Sequence, residues 1–343
     1  MKTIFVVDDN AINLSIAKDA LKGCYRVRTL PSAEKMFEIM EKSLPDLILL
    51  DIEMPDMDGF EALAFLKENT ATAKIPVIFL TSMTDDFIEA RGFEMGAVDF
   101  IQKPFSAPVL QNRIKTHLDI DGIIRERTLR LQKLQNALVY TLADMVENRD
   151  KTTGGHIERM AAYIEILADE MRAKGVYAEE LKKIDKDSLV SSGRLHDVGK
   201  VAISDTILNK PGKLTDEEFD IMKTHCVAGE NIIGNIMSRS GDAALLLNAK
   251  FIAGSHHERW DGSGYPRGLK GDEIPIQGRI VSIVDVYDAL VSERPYKKAF
   301  TSDEALALMM AGAGSQFDPK ILDVFFNAKA RFAAVGNGNF NNG

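Results

Sequence analysis

The sequence predicts a multidomain chain: a doubly wound α/β domain on a parallel sheet, a long connector helix, and an all-α second domain. Three observations carry that expectation. Short apolar runs alternate with amphipathic helical patterns up to about residue 120. A helical pattern then runs almost unbroken from Ser106 to Arg149. Five of the six histidines fall in the mostly helical remainder. The boundaries fall at 1–120, 121–147 and 148–330, with a Gly/Asn-rich tail at 331–343 expected to be disordered.

In the first domain, Ile4–Val7, Leu47–Leu50, Val77–Leu80 and Phe100–Ile101 are short apolar runs, as strands buried on both faces require. Ile12–Leu21 and Glu34–Met40 read as the helices between them. Ligands of such sheets bind at the carboxyl ends of the strands, and the polar residues fall there. Asp8 and Asp9 follow the first run, Asp51 the second, Thr81 the third, and Lys103 the last. Three converging carboxylates need a cation, and oxygen donors alone suit Mg²⁺. An aspartate beside Mg²⁺ and a lysine is a phosphoryl acceptor, because attack on phosphorus needs charge neutralisation more than a base. Helix capping explains one such aspartate, but not polar residues at every strand end.

This half resembles the receiver domain of bacterial response regulators. The resemblance rests on the acidic pair, Asp51 within Asp51-Ile52-Glu53-Met54-Pro55-Asp56-Met57-Asp58-Gly59, Thr81, and Lys103-Pro104. It implies that Asp51 takes phosphate from a cognate histidine kinase and that Asp8, Asp9 and Asp51 hold Mg²⁺. It also implies that Thr81 and Lys103 bind the phosphoryl group, that Phe100 is the switch aromatic, and that the Lys103–Pro104 bond is cis.

In the connector, Ile124, Leu131, Leu134, Leu138, Leu142 and Met145 recur at spacings of three, four and seven, with Arg127 and Thr141 interrupting the seam. The pattern fits a coiled coil that makes the protein a homodimer. It also fits a single helix packing its stripe on its own domains. As a rigid element, the connector would carry a rearrangement of the first domain into the second.

The second domain holds His156, His196, His225, His256 and His257. Its expected helices include Leu181–Leu195, Glu217–His225, Asn231–Met237 and Arg279–Val291, the last carrying Asp285 beside its apolar face. Imidazoles and carboxylates form a donor set that divalent transition metals prefer. His196-Asp197 on one helix would point about 100° apart and bridge two metals rather than chelate one. Two metals can stabilise both the attacking and the leaving oxygen at phosphorus.

The runs Leu195–Lys200 and His256–Pro266, with Asp285-Val286-Tyr287-Asp288 and Arg294-Pro295-Tyr296-Lys297, resemble the HD-GYP domain of the HD phosphohydrolase superfamily, a family that hydrolyses cyclic di-GMP. The resemblance implies an all-α HD-type output domain in which His196, Asp197, His225, His256, His257 and Asp285 bind two divalent transition metals, iron or manganese. His156 matches a further ligand position. Lys200, Arg294 and Lys297 match residues that contact phosphate or guanine, and Tyr265 lies in the motif loop at the pocket, placed to stack on guanine. Thr152 stands where some members carry a carboxylate for a third metal, so two metals are expected, with His156 a weak ligand or a support to the others. The catalytic set is then His196, Asp197 and Lys200. A two-metal-activated hydroxide then cuts cyclic di-GMP to linear pGpG, with the second cut to GMP left open. The leaving oxygen takes its proton from water or Lys200.

Composition narrows the alternatives. A net charge of −9 argues against a nucleic-acid coat or a membrane-surface protein. Two cysteines, Cys24 and Cys226, make no disulfide framework. The start lacks a signal peptide and no apolar stretch spans a bilayer, so a cytoplasmic protein is expected. Competing readings are hydrolysis of another dinucleotide, such as cyclic GMP-AMP, and a catalytically silent scaffold that binds partners such as diguanylate cyclases. A full ligand set counts against the scaffold.

Overall fold

A computed structural model describes residues 1–82, 86–149, 155–240, 244–292 and 299–336. It divides into two compact units, Met1–Leu131 and Gln132–Gly343. The first contains β1 (Thr3–Val7), α1 (Ala11–Leu21), β2 (Arg26–Leu30), α2 (Ala33–Met40), β3 (Leu47–Asp51), α3 (Gly59–Glu68), β4 (Val77–Thr81), α4 (Asp86–Glu94) and β5 (Asp99–Gln102). The strands form one parallel sheet in the order β2-β1-β3-β4-β5.

Alternate residues of the central strands face opposite layers. Phe5, Val7, Ile48, Leu50, Val77, Phe79 and Phe100 pack with Met36, Phe60 and Leu63 on one face. Ile4, Val6, Leu47, Leu49, Ile78, Leu80 and Ile101 pack with Ala17, Leu21, Leu110 and Ile114 on the other. Burial on both faces is why these strands read as continuous apolar runs. Strand β2 has no such run: Arg26, Val27, Arg28 and Thr29 keep one side to solvent at the sheet edge. Helix starts follow local chemistry. The Asn10 side chain accepts from the Ile12 N–H, and Asp58 and Glu61 form a reciprocal capping box.

Helix α5 (Ala107–Arg149) is continuous from the first unit into the second. Along it Ile124, Leu131, Leu138 and Met145, spaced by seven, are all exposed.

The second unit continues with α6 (His156–Ala173), α7 (Ala178–Leu181), α8 (Lys186–Gly193), α9 (Asp205–Leu208), α10 (Asp216–Lys223), α11 (His225–Ser240), α12 (Ala244–Ser255), α13 (Ile276–Val291), α14 (Ser302–Ala311), α15 (Pro319–Asn327) and α16 (Lys329–Gly336). Its main core joins Tyr163, Ile164 and Leu167 of α6 to Ile280, Val284 and Tyr287 of α13, Phe325 of α15 and Phe332 of α16. A second core sets Val139 and Ala143 of α5 against Leu195, Ile233, Ala249 and Ala253. Among the described residues of this unit, the pairing is confined to an isolated bridge, Ala313 with Phe317.

One expected helix is different. The pattern Leu181–Leu195 is broken, because Asp185 accepts from the Ser188 N–H and caps a new start. Helix α8 then ends at Gly193. His196 and Asp197 therefore sit in a turn that leads into the 3-10 segment Val198–Ala202, not side by side on a helix.

Candidate functional site

In the second unit, five elements bring the site residues together: the start of α6 (His156), the turn after α8 (His196, Asp197), the start of α11 (His225), the segment after α12 (His256, His257) and α13 (Asp285). His196, His225 and His256 are buried to 3%, 2% and 1% exposure. Each donates its Nδ1–H to a backbone carbonyl: His196 to Gly193 at 3.0 Å, His225 to Met222 at 2.7 Å and His256 to Ile252 at 3.0 Å. A carbonyl can only accept, so each Nδ1 carries a proton and each imidazole turns its Nε2 toward the others. This arrangement is how metal-binding histidines are oriented.

The donor atoms fall into two groups, each spanning no more than 4.8 Å: Asp197, His225, His256 and His257, and His156, His196 and Asp285. Asp197 lies between them. Its Oδ1 is 3.3 Å from His225 Nε2 and 3.6 Å from His256 Nε2, while its Oδ2 is 3.2 Å from His196 Nε2. The two imidazole nitrogens are 3.5 Å apart. Ligands about 2.1 Å from a common ion in tetrahedral array lie about 3.4 Å from each other, so these spacings fit a cation. His196 Nε2 and Asp197 Oδ1 are buried with no hydrogen-bond partner. Such atoms destabilise a fold unless a ligand satisfies them.

Asp197 and Asp285 draw positive charge to the cluster. Burial opposes ionisation of Asp197, yet Lys200 and His196 hold its carboxyl well below the usual range. Burial disfavours a charged His196, but Asp197 and Asp285 overcome this and raise it to about 9. Burial and the neighbouring His256 push His257 far down, and burial lowers His225.

His156 belongs to the second group through a support that was not apparent from residue pattern alone. Its Nδ1–H donates to Asp288 Oδ2 at 2.7 Å. Asp288 is itself clamped by Arg159, Nε to Oδ1 at 2.6 Å and Nη2 to Oδ2 at 3.0 Å. Asp288 lies three residues after Asp285, and that spacing on one helix was the available signal.

Lys200 Nζ lies 2.8 Å from Asp197 Oδ2. Tyr265 tilts over His257 with centroids 4.8 Å apart. Its loop is held by Glu258, a buried carboxylate that accepts from the Arg267 N–H at 2.8 Å and the Leu269 N–H at 3.0 Å. A Cβ at Gly264 would stand 2.5 Å from the Glu258 Cα, so the loop closes only with glycine there. The Tyr265–Pro266 bond is cis. Arg294 and Lys297, and the segment holding Lys151 and Thr152, lie outside the described residues, as does 337–343.

In the first unit, Asp8, Asp9 and Asp51 bring carboxylate oxygens within 4.8 Å of one another at the sheet's carboxyl edge. Lys103 Nζ is 2.7 Å from both Asp8 Oδ2 and Asp51 Oδ2. Burial raises the Asp51 carboxyl, Lys103 opposes this, and Asp8 adds to it. Thr81 ends β4, buried. Phe100 is buried between Phe79 and Phe93, with centroids at 5.3 and 5.0 Å. The Lys103–Pro104 bond is cis.

Comparison with known proteins follows the same division. A response regulator receiver domain model matches residues 4–115, and an HD domain model matches residues 140–321. The chain is 40% identical over 348 residues to a probable cyclic di-GMP phosphodiesterase of Vibrio cholerae, covering 97% of this chain and 79% of that protein. It is 36% identical over 304 residues to the cyclic di-GMP phosphodiesterase response regulator RpfG of Xanthomonas campestris, covering 84% and 77%. It is also 42% identical over 205 residues to the 3'3'-cGAMP-specific phosphodiesterase 2 of Vibrio cholerae, covering 60% and 37%. Among the described residues, no helix is long and apolar enough to cross a membrane.

Proposed function

The chain belongs to the HD-domain family, with a response regulator receiver domain ahead of the HD domain, and we propose that it hydrolyses cyclic di-GMP to linear pGpG under control of phosphorylation at Asp51. The observation that carries this reading is the half-buried Asp197 carboxylate, set between two groups of donors, with the imidazoles of His196, His225 and His256 already oriented by backbone carbonyls.

Asp197, His225, His256 and His257 would hold one divalent cation. His196, Asp285 and His156 would hold the other. Mixed nitrogen and oxygen donors suit iron or manganese. When bound, such a pair activates water and neutralises charge on both the attacking and the leaving oxygen at phosphorus. The protein's own residues do the rest. Lys200 brings a cation to the edge of the donor array, where it neutralises a substrate phosphate and can protonate the leaving 3′ oxygen. Tyr265, fixed against His257, presents a ring to a guanine.

In the receiver, Asp8, Asp9 and Asp51 would hold Mg²⁺. Asp51 would take the phosphoryl group from a histidine kinase, with Lys103 and Thr81 meeting its oxygens. The exposed stripe Ile124, Leu131, Leu138 and Met145 supports pairing of two chains along α5.

Cyclic GMP-AMP is the second reading, favoured by the relative named for that substrate. The relatives named for cyclic di-GMP match the receiver as well, across most of the chain. The deciding experiment compares kcat/KM of the metal-loaded protein for the two dinucleotides. A higher value for cyclic di-GMP supports the proposal, and a higher value for cyclic GMP-AMP overturns it.

A further inference from the structure

We propose that Arg149, the last residue of α5, is a positioning residue for the hydrolytic centre: it pins the turn that carries Lys200. The inference rests on the reading of Lys200 as a phosphate-facing cation. The Arg149 guanidinium donates from Nη1 to the Val201 carbonyl at 3.1 Å and from Nη2 to the Ile203 carbonyl at 3.3 Å. It also reaches Asp205 Oδ1 at 2.8 Å. Val201 directly follows Lys200 and Ile203 lies three residues on, so one side chain holds the chain where it leaves the turn.

The opposite side of the turn is pressed against α11. A Cβ on Gly199 would stand 1.9 Å from the His225 carbonyl oxygen and 2.4 Å from the Gly229 nitrogen. Within the turn, the Lys200 N–H donates to the Asp197 carbonyl at 2.9 Å and the Ile203 N–H to the Lys200 carbonyl at 3.0 Å. The segment is thus closed between a metal-binding helix and the end of the connector. The same connector packs Val139 and Ala143 against Leu195 and Val198, on either side of His196-Asp197. A displacement of α5 that moved Arg149 would move Lys200, with the imidazoles of His225 and His256 held by bonds of their own.

The fork, not the charge, is what the geometry uses. Asp205 is 71% exposed, so its ion pair with Arg149 is screened and weak. Two carbonyls received by one planar guanidinium need a donor pair in fixed geometry, which a lysine cannot supply.

The test uses the full chain, loaded with manganese, in a double-mutant cycle of Arg149→Met and Lys200→Met, with Arg149→Lys and Asp205→Asn alongside. Arg149→Met and Arg149→Lys are expected to lower kcat/KM for cyclic di-GMP about 10- to 100-fold, the range for a misplaced catalytic group. Metal content stays unchanged, and Asp205→Asn stays within about twofold of the parent. With Lys200→Met already present, Arg149→Met has no further effect, because the group it positions is gone. Amide exchange over 198–203 quickens in Arg149→Met. Additive losses, lost metal, unchanged kcat/KM in Arg149→Lys, or a full loss in Asp205→Asn each overturn the proposal. If the parent leaves cyclic di-GMP intact, the substrate reading fails by itself. The same cycle on bis(4-nitrophenyl) phosphate then decides the role of Arg149 by the same criteria.

Discussion

Asp288→Asn isolates one half of the metal centre. Asp288 is 2% exposed, and its carboxylate takes two bonds from Arg159 and one from His156. Burial works against its charge, but His156 and Arg159 outweigh that and hold its carboxyl below the usual range. The amide keeps the shape and removes the charge that the Arg159 guanidinium, only 15% exposed in its side chain, is paired with. Breaking such a pair from one side costs about 3 kcal/mol, the lower end of the usual range because the amide still accepts one bond. For a unit of this size, that is a melting shift of about 6–12 °C. The effect on metal is selective. His156 loses its anionic support, so one cation should bind about 10- to 100-fold more weakly. The hydrogen bonds of Asp288 run to His156, Arg159 and Ser292 rather than to Asp197, His225, His256 or His257, so the other cation should be retained. Thermal unfolding by circular dichroism and a manganese titration read these two quantities separately. An unchanged melting temperature, or equal weakening of both cations, would refute the reasoning.

Gly199→Ala forces a backbone shift at both the Lys200 turn and α11, since the new Cβ meets backbone atoms at 1.9 and 2.4 Å. It should cost about 2 kcal/mol or more and abolish turnover, as unfolding and activity measurements would show. Glu258→Ala leaves the N–H groups of Arg267 and Leu269 unpaired, at about 1–3 kcal/mol each. With its loop released, Tyr265 loses its fixed pose. KM should rise for cyclic di-GMP and not for bis(4-nitrophenyl) phosphate, which has no base, and steady-state kinetics on the two esters will tell. In the receiver, burial opposes ionisation of Asp99, but Arg113, His117 and the Phe100 N–H hold its carboxyl low. A depressed folded pKa gives stability that is present above the unfolded value of about 3.9 and is lost as pH falls through the folded one. The gap in receiver stability between the parent and Asp99→Asn should therefore shrink between pH 6 and pH 3, measured by urea unfolding.

The central strands were legible because burial on both faces leaves no polar position in them, whereas β2 was not, because an edge strand shows only weak alternation. The break before α8 escaped the hydrophobic pattern because a single cap at Asp185 made it. The metal-binding residue types stood out in the sequence. Their division into two groups did not, because it depends on which way each imidazole turns, and the carbonyls of Gly193, Met222 and Ile252 decide that. Arg149 and Asp288 were silent for a similar reason. Both act through contacts 52 to 132 residues away in sequence, which no local pattern records.

Turnover of cyclic di-GMP is the most direct test of the two-metal site. The full chain, reconstituted with iron or manganese under reducing conditions, is incubated with cyclic di-GMP, and the products are separated by anion exchange. The account predicts linear pGpG from the parent protein, and neither product nor stoichiometric metal with Asp197→Ala. Intact cyclic di-GMP after incubation with the fully metal-loaded parent, or equal turnover by Asp197→Ala, would contradict it.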